Sequence, residues 1–219
     1  MRSSILLCVI FIYQLTGVSS LRSLSVEDFI DRVLFRTQQN LYRRLTKGWS
    51  IFLGTSLKAD NGTFIPLGTD NFATGVGVHY KLKRDGECDT KVESSINTLQ
   101  CPVIFDQFKV ILPRFHGDGG KQYILRVVMK VKVVLWNPRG SSFLSYKRFT
   151  NTRTTYTMTD SNNVIVIETP ARYSLSLKST RNLRGVMWSR LEDFLTNGDF
   201  YHSLTTALSG VPKPSDFHR

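Results

Sequence analysis

The chain has 219 residues, a formal net charge of +12 and three cysteines. That length supports one good core without requiring a second domain. So few cysteines exclude a scaffold held together by disulfides, and the basic excess favours polyanions as partners over cations.

The first twenty residues read as a secretory leader. Arg2 supplies the positive start, Ile5 to Leu15 form an apolar run broken only by Gln14, and Val18, Ser19 and Ser20 place cleavage after Ser20. This run is about half the ~20 residues a spanning helix needs, and no later segment is apolar for long enough, so no transmembrane segment is expected. The expected organisation is a signal peptide over 1–20, a single α+β binding domain over 21–211 and a disordered tail over 212–219. The mature protein is expected to be secreted and extracellular. Losing Arg2 with the leader lowers the net charge to +11. Anionic lipid and sulfated glycan are then the favoured polyanions. Export makes nucleic acid the least favoured, and a plain solvated cationic surface is the bland alternative.

Cys8 leaves with the leader, so Cys88 and Cys101 are expected to pair in an oxidising compartment. Closing that short loop contributes roughly 3 kcal/mol. Asn61-Gly62-Thr63 is a glycosylation sequon in a turn-like setting.

Ser25 is a good N-cap, with Asp28 three positions on. Val26, Phe29, Ile30, Val33, Leu34, Leu41 and Leu45 then recur at helical spacing, with Arg32, Arg36, Gln39 and Arg43 on another face. Thr37 and Asn40 interrupt the apolar stripe, at a sheet edge or a cavity. Residues 48–74 read as a connection with a short strand. From Gly75 the period becomes two, so Val76, Val78, Tyr80 and Leu82 are expected inward and His79, Lys81 and Lys83 outward. Asp85-Gly86 is a turn before a stretch over 91–112, which ends with Phe108, Val110 and Leu112 on one face. Asp118-Gly119-Gly120 is the next turn. Leu125, Val127, Met129, Val131, Val133 and Leu135 then alternate with Arg126, Lys130 and Lys132, which marks an antiparallel sheet with one dry and one wet face. Strands over about 143–158 and from Val164 past Pro170 to Tyr173, Leu175 and Leu177 follow, separated by Asp160-Ser161-Asn162-Asn163. Two helical stripes, Val186 to Leu195 and Phe200 to Leu208, meet at Asn197-Gly198, and Pro212 and Pro214 end the order.

The expected fold class is α+β: a long N-terminal helix, a curved antiparallel meander sheet of about five long strands, and C-terminal amphipathic helices packed on its apolar face. Parallel pairing is disfavoured because the connections are turns.

His79, His116, His202 and His218 lack metal-ligand spacing, and there is no nucleophile elbow, phosphate loop or dinucleotide fingerprint. No catalytic residue, metal or cofactor is therefore assigned, and the reading is a non-enzymatic binding protein. A long apolar sheet face with few helices to cover it points to a groove. Its expected lining is Val76, Val78, Tyr80, Val127, Met129 and Val133, closed by Phe29 and Val33. The expected ligand is a lipid or other hydrophobic small molecule. The alternative is a polyanion-binding surface of Lys81, Lys83, Arg126, Lys130 and Lys132. A lipocalin-like carrier is a third reading, which would want about eight strands and lacks the long first helix.

This layout resembles half of the tubular lipid-binding superfamily, in particular the mite group-7 allergens and the arthropod juvenile-hormone-binding and takeout proteins. The resemblance spans nearly the whole mature chain in order. A long helix leads to the proline-marked Phe64-Ile65-Pro66-Leu67, then long antiparallel strands, then Ser189-Arg190-Leu191-Glu192-Asp193-Phe194-Leu195 and Phe200–Leu208. It implies a curved sheet wrapped around helices, with an apolar groove for a lipid. The chain departs from the family in its mid-chain cysteines, where the hormone binders have an N-terminal disulfide. Its charge is also unlike that of the mite proteins.

Overall fold

A computed structural model describes residues 24–58, 64–66, 71–93, 96–113, 123–159, 164–168 and 180–217. The leader, the Asn61 sequon, the turns at 118–120 and 160–163, and Tyr173, Leu175 and Leu177 lie outside them. In chain order the elements are α1 (Val26–Arg44), β1 (Trp49–Phe52), β2 (Ser56–Lys58), β3 (Phe64–Pro66), β4 (Phe72–Val76), β5 (Leu82–Arg84), β6 (Asp89–Glu93), β7 (Ile96–Ile111), β8 (Ile124–Trp136), β9 (Ser145–Thr159), β10 (Val164–Glu168), α2 (Thr180–Thr196) and α3 (Asp199–Leu208). The fold is α+β, with an N-terminal helix, an antiparallel sheet and C-terminal helices.

The sheet runs β1-β4-β7-β8-β9-β10, with β5 and β6 also pairing β7, and every pairing is antiparallel. β2 and β3 form a separate hairpin. Among the described residues only β7, β8 and β9 are long, at 16, 13 and 15 residues. The stretch expected over 91–112 is a hairpin, β6 to β7, and not one strand. Its open end is closed by the Cys88–Cys101 disulfide, one step beyond the Asp89↔Gln100 pair. The unreduced, unfolded protein should therefore show no thiol reactivity at Cys88 or Cys101. Labelling of both before reduction would contradict the crosslink.

β8 alternates as its sequence demands. Leu125, Val127, Met129, Val131 and Val133 are at most 1% exposed, and Arg126 between them is exposed. β7 does the same with a change of phase. Leu99, Cys101, Val103 and Phe105 face inward, and after a bulge so do Phe108 and Val110. Within the bulge Gln107 takes a left-handed φ of 56°, a conformation costly for a residue with a Cβ. The extra residue returns Phe108 to the core.

The largest departure from the sequence reading lies at the expected strand over Gly75–Lys83. It breaks at Gly77, whose φ of 81° suits glycine. Val78–Lys81 then form a 3-10 turn before β5. The alternation is lost, so Val76 and Tyr80 are exposed while His79 is buried.

The three helices cover the inner face. α1 is N-capped by the Ser25 hydroxyl, which accepts from the Asp28 amide at 3.0 Å. Its polar interruptions mark neither a cavity nor a sheet edge. Thr37 Oγ1 donates to the Val33 carbonyl at 2.8 Å, and Asn40 Nδ2 donates to the Ser203 carbonyl of α3 at 3.2 Å. Phe105 lies edge-on to Phe200, ring centres 5.2 Å apart, and to Phe194 at 6.4 Å, joining the sheet to α2 and α3.

Order does not end at Pro212. Lys213 N donates to the Ser142 carbonyl at 3.0 Å, Asn137 Nδ2 donates to the Phe217 carbonyl at 2.9 Å, and the Phe217 ring is 2% exposed. The helix ends at Leu208, before the prolines, and the hydrogen bonds at Lys213 and Phe217 tie the segment to the β8–β9 turn, with Val211 and Phe217 buried. Phe217→Ala should cost about 3 kcal/mol, measured by urea denaturation. A cost below about 0.5 kcal/mol would mean that the segment is not docked.

Candidate functional site

The expected ligand residues divide into two groups. Phe29, Val33, Val127, Met129 and Val133 are 0% exposed and Val78 is 1% exposed, all within one continuous core. A void wide enough for water would expose the atoms around it, so none borders such a void. Val76 and Tyr80, at 41% and 66%, face solvent. Of the residues assigned to an interior groove, six are therefore buried in the core and two, Val76 and Tyr80, lie outside it.

The outer face of the sheet gathers charge. Directly paired residues of an antiparallel sheet project from the same face, with Cβ atoms about 5 Å apart. One row reads Val76, Lys109, Arg126, Thr157, from β4 to β9. Past Val128, which lies opposite Thr155, another row reads Lys83, Ile104, Lys130, Arg153, from β5 to β9. Lys132 lies between Pro102 and Thr150, and Arg148 lies opposite Val134. Ile104 is 7% exposed on this face, as Gln100 is at 7% and Val134 at 1%, and Lys83 and Lys130 flank Ile104 in register, where their aliphatic stems can lie along it.

Two of these pairs, Lys109 with Arg126 and Lys130 with Arg153, set like charges directly opposite one another. That arrangement is destabilising. Two acids relieve part of the face: Asp85 accepts from Lys130 Nζ at 2.7 Å, and Asp106 lies 3.5 Å from Lys83 Nζ. No carboxylate among the described residues pairs with Lys109, Arg126 or Lys132. Of the cations expected to act together, Lys83, Arg126, Lys130 and Lys132 share this face. Lys81 sits apart in the 3-10 turn. Sequence reasoning missed Lys109, Arg148 and Arg153. Lys109 was legible from the inward Phe108 and Val110 that flank it, whereas the positions of Arg148 and Arg153 depend on two register shifts in β9.

A second feature is a cleft of about 440 Å³ between β1, the end of α1 and the α2–α3 junction. Trp49, Ile51, Phe52 and Phe194 line it, with Arg44, Arg190, Asp193 and Asp199 at its rim. The Trp49 and Phe194 rings lie 4.6 Å apart. Arg44 pairs with Asp199 at 3.5 Å, and Arg190 Nε donates to the Phe52 carbonyl at 3.0 Å. Gly75 keeps this wall flat, since a Cβ there would meet the Trp49 ring at 2.9 Å.

His79 is 9% exposed between the Tyr42 and Tyr80 rings, at 5.1 and 3.7 Å, and its Nε2 has no hydrogen-bond partner among the described residues. Burial lowers its pKa from the ordinary 6.5. The unfolded chain therefore takes up the proton first as pH falls. The stability this neutral histidine preserves is fully present above about pH 6.5 and is lost toward the lowered folded value. Thermal melts should show stability dropping below pH 6.5 more steeply in the native protein than in His79→Phe. Parallel profiles would remove His79 as the cause.

Among the described residues no three His, Cys, Asp or Glu side chains converge to hold a metal, and no helix is long and apolar enough to cross a membrane. No protein-family model matches this chain, and no curated protein matches it at significance.

Proposed function

We propose that this is an extracellular, non-enzymatic binding protein that engages a polyanion through the outer face of β7, β8 and β9. The observation that carries this reading is the like-charge cross-strand pair of Lys109 with Arg126, neither of which meets a carboxylate among the described residues. The pair costs stability in the isolated protein, and a bound anion between the two cations would reverse the sign of that contribution. A sulfated polymer is the direct test. Retention should weaken steeply as salt rises, because exposed charges are screened within about 10 Å at 0.1 M salt. Arg126→Thr should weaken it further while raising stability by about 0.5 kcal/mol. A variant that loses stability without losing retention would show that the cations are structural.

A second reading keeps a hydrophobic ligand, favoured by the cleft with its aromatic wall and arginine rim. A lipid carboxylate would meet Arg44 or Arg190 while its chain lay along Trp49 and Phe194. The order of helix, antiparallel sheet and paired helices, on which the resemblance to the tubular lipid-binding proteins rests, supports a lipid as the ligand. A fluorescent fatty acid should bind with little salt dependence and quench tryptophan emission. Binding unchanged in Phe194→Ala would move the ligand elsewhere.

A further inference from the structure

The cationic face does not end at its cations. Along β4, Phe72, Thr74 and Val76 point outward, and register places Phe52 of β1 beside Phe72, Ile111 of β7 beside Thr74, and Lys109 beside Val76. Phe72 is 53% exposed, Val76 41% and Phe52 39%. The Phe52 and Phe72 rings lie 5.2 Å apart, and the Arg190 guanidinium sits 5.8 Å from the Phe52 ring centre. A pair of exposed aromatic rings, an exposed valine and a half-buried isoleucine thus adjoin the Lys109–Arg126 pair on one sheet face.

We propose that the partner of this face is an anionic lipid surface, with Phe52, Phe72 and Val76 entering the headgroup layer while Lys109 and Arg126 meet lipid phosphates and carboxylates. This rests on the polyanion reading above and names its partner. A hydrated sulfated polymer offers charge to the cations and little to exposed phenylalanine rings. An anionic bilayer offers both a negative surface and an apolar layer within reach of side chains at the interface. Charge complementarity selects the sign of the surface, and the adjoining rings select lipid over glycan.

The experiment uses the mature chain with vesicles of phosphatidylcholine, alone or mixed with phosphatidylserine, and in parallel an immobilised sulfated polysaccharide. The native protein should float with the mixed vesicles and not with pure phosphatidylcholine. Lys109→Glu with Arg126→Glu should lower vesicle affinity by at least about tenfold, each cation being worth roughly fivefold near such a surface. Phe72→Ser with Val76→Ser should lower vesicle affinity by roughly tenfold and leave retention on the polysaccharide unchanged. Phe72→Trp keeps an aromatic at this site, so it guards against misfolding of the serine variant, and brominated lipid should quench its emission. Retention on polysaccharide without flotation would make the partner a glycan and overturn the inference while the polyanion reading stands. Flotation indifferent to Phe72 and Val76, with no quenching of Phe72→Trp, would overturn it as well. Binding to neither support would remove both readings together.

Discussion

Val131→Asp is expected to leave no folded protein detectable by circular dichroism at room temperature. Val131 is 1% exposed at the centre of β8, flanked in register by Val103 and Asn151. An aspartate there faces a dry core, so it must either bury a charge or hold a proton far above its usual pKa. Either outcome costs several kcal/mol against a total stability of about 5–15. Lys130→Asp, one position away on the outer face, loses the 2.7 Å contact to Asp85 but relieves the cation opposite it at Arg153. Its net effect should stay within about 1 kcal/mol. Equal behaviour of the two variants would reverse the assignment of the faces.

Phe105→Ala should cost about 3–5 kcal/mol in urea denaturation, the range for removing a buried ring. Phe105 is 0% exposed and meets both Phe194 and Phe200, so its removal opens space where β7, α2 and α3 converge. Phe72→Ala deletes the same ring from an exposed position and should stay within about 0.5 kcal/mol. A costly Phe72→Ala would mean that the outer apolar stripe is covered by the protein itself, and the lipid-facing role would fall with it.

Some of this was legible because local periodicity reports burial directly. The alternation from Leu125 to Val133 assigned β8 its inner and outer faces, and the stripe from Val26 to Leu45 assigned α1 its buried side. The phase change in β7 went unread, because consecutive apolar Val103, Ile104 and Phe105 hide the alternation. Leu99, Cys101, Val103 and Phe105 are odd-numbered, Phe108 and Val110 are even, and one extra residue must lie between them. Ser25 as a cap needed only its neighbours in sequence, and the pairing of Cys88 with Cys101 followed from the cysteine count once Cys8 was assigned to the leader.

Other features depended on contacts between distant segments. The alternation from Val76 to Leu82 satisfied a strand as well as β8 did. Gly77 instead takes a positive φ, and the 3-10 turn that follows buries His79 against Tyr42 of α1. Nothing near Pro212 announces that Phe217 will find a site beside Asn137. The cationic face was half visible, since alternation put Arg126, Lys130 and Lys132 outward. Which strands flank β8, and in what register, decides whether those charges meet acids, apolar residues or further cations. Period alone determined which way each side chain of β8 points, because pleating is a property of one strand. Which side chain stands opposite is a property of two strands, and only the tertiary structure set Lys109 beside Arg126 and Phe72 beside Phe52.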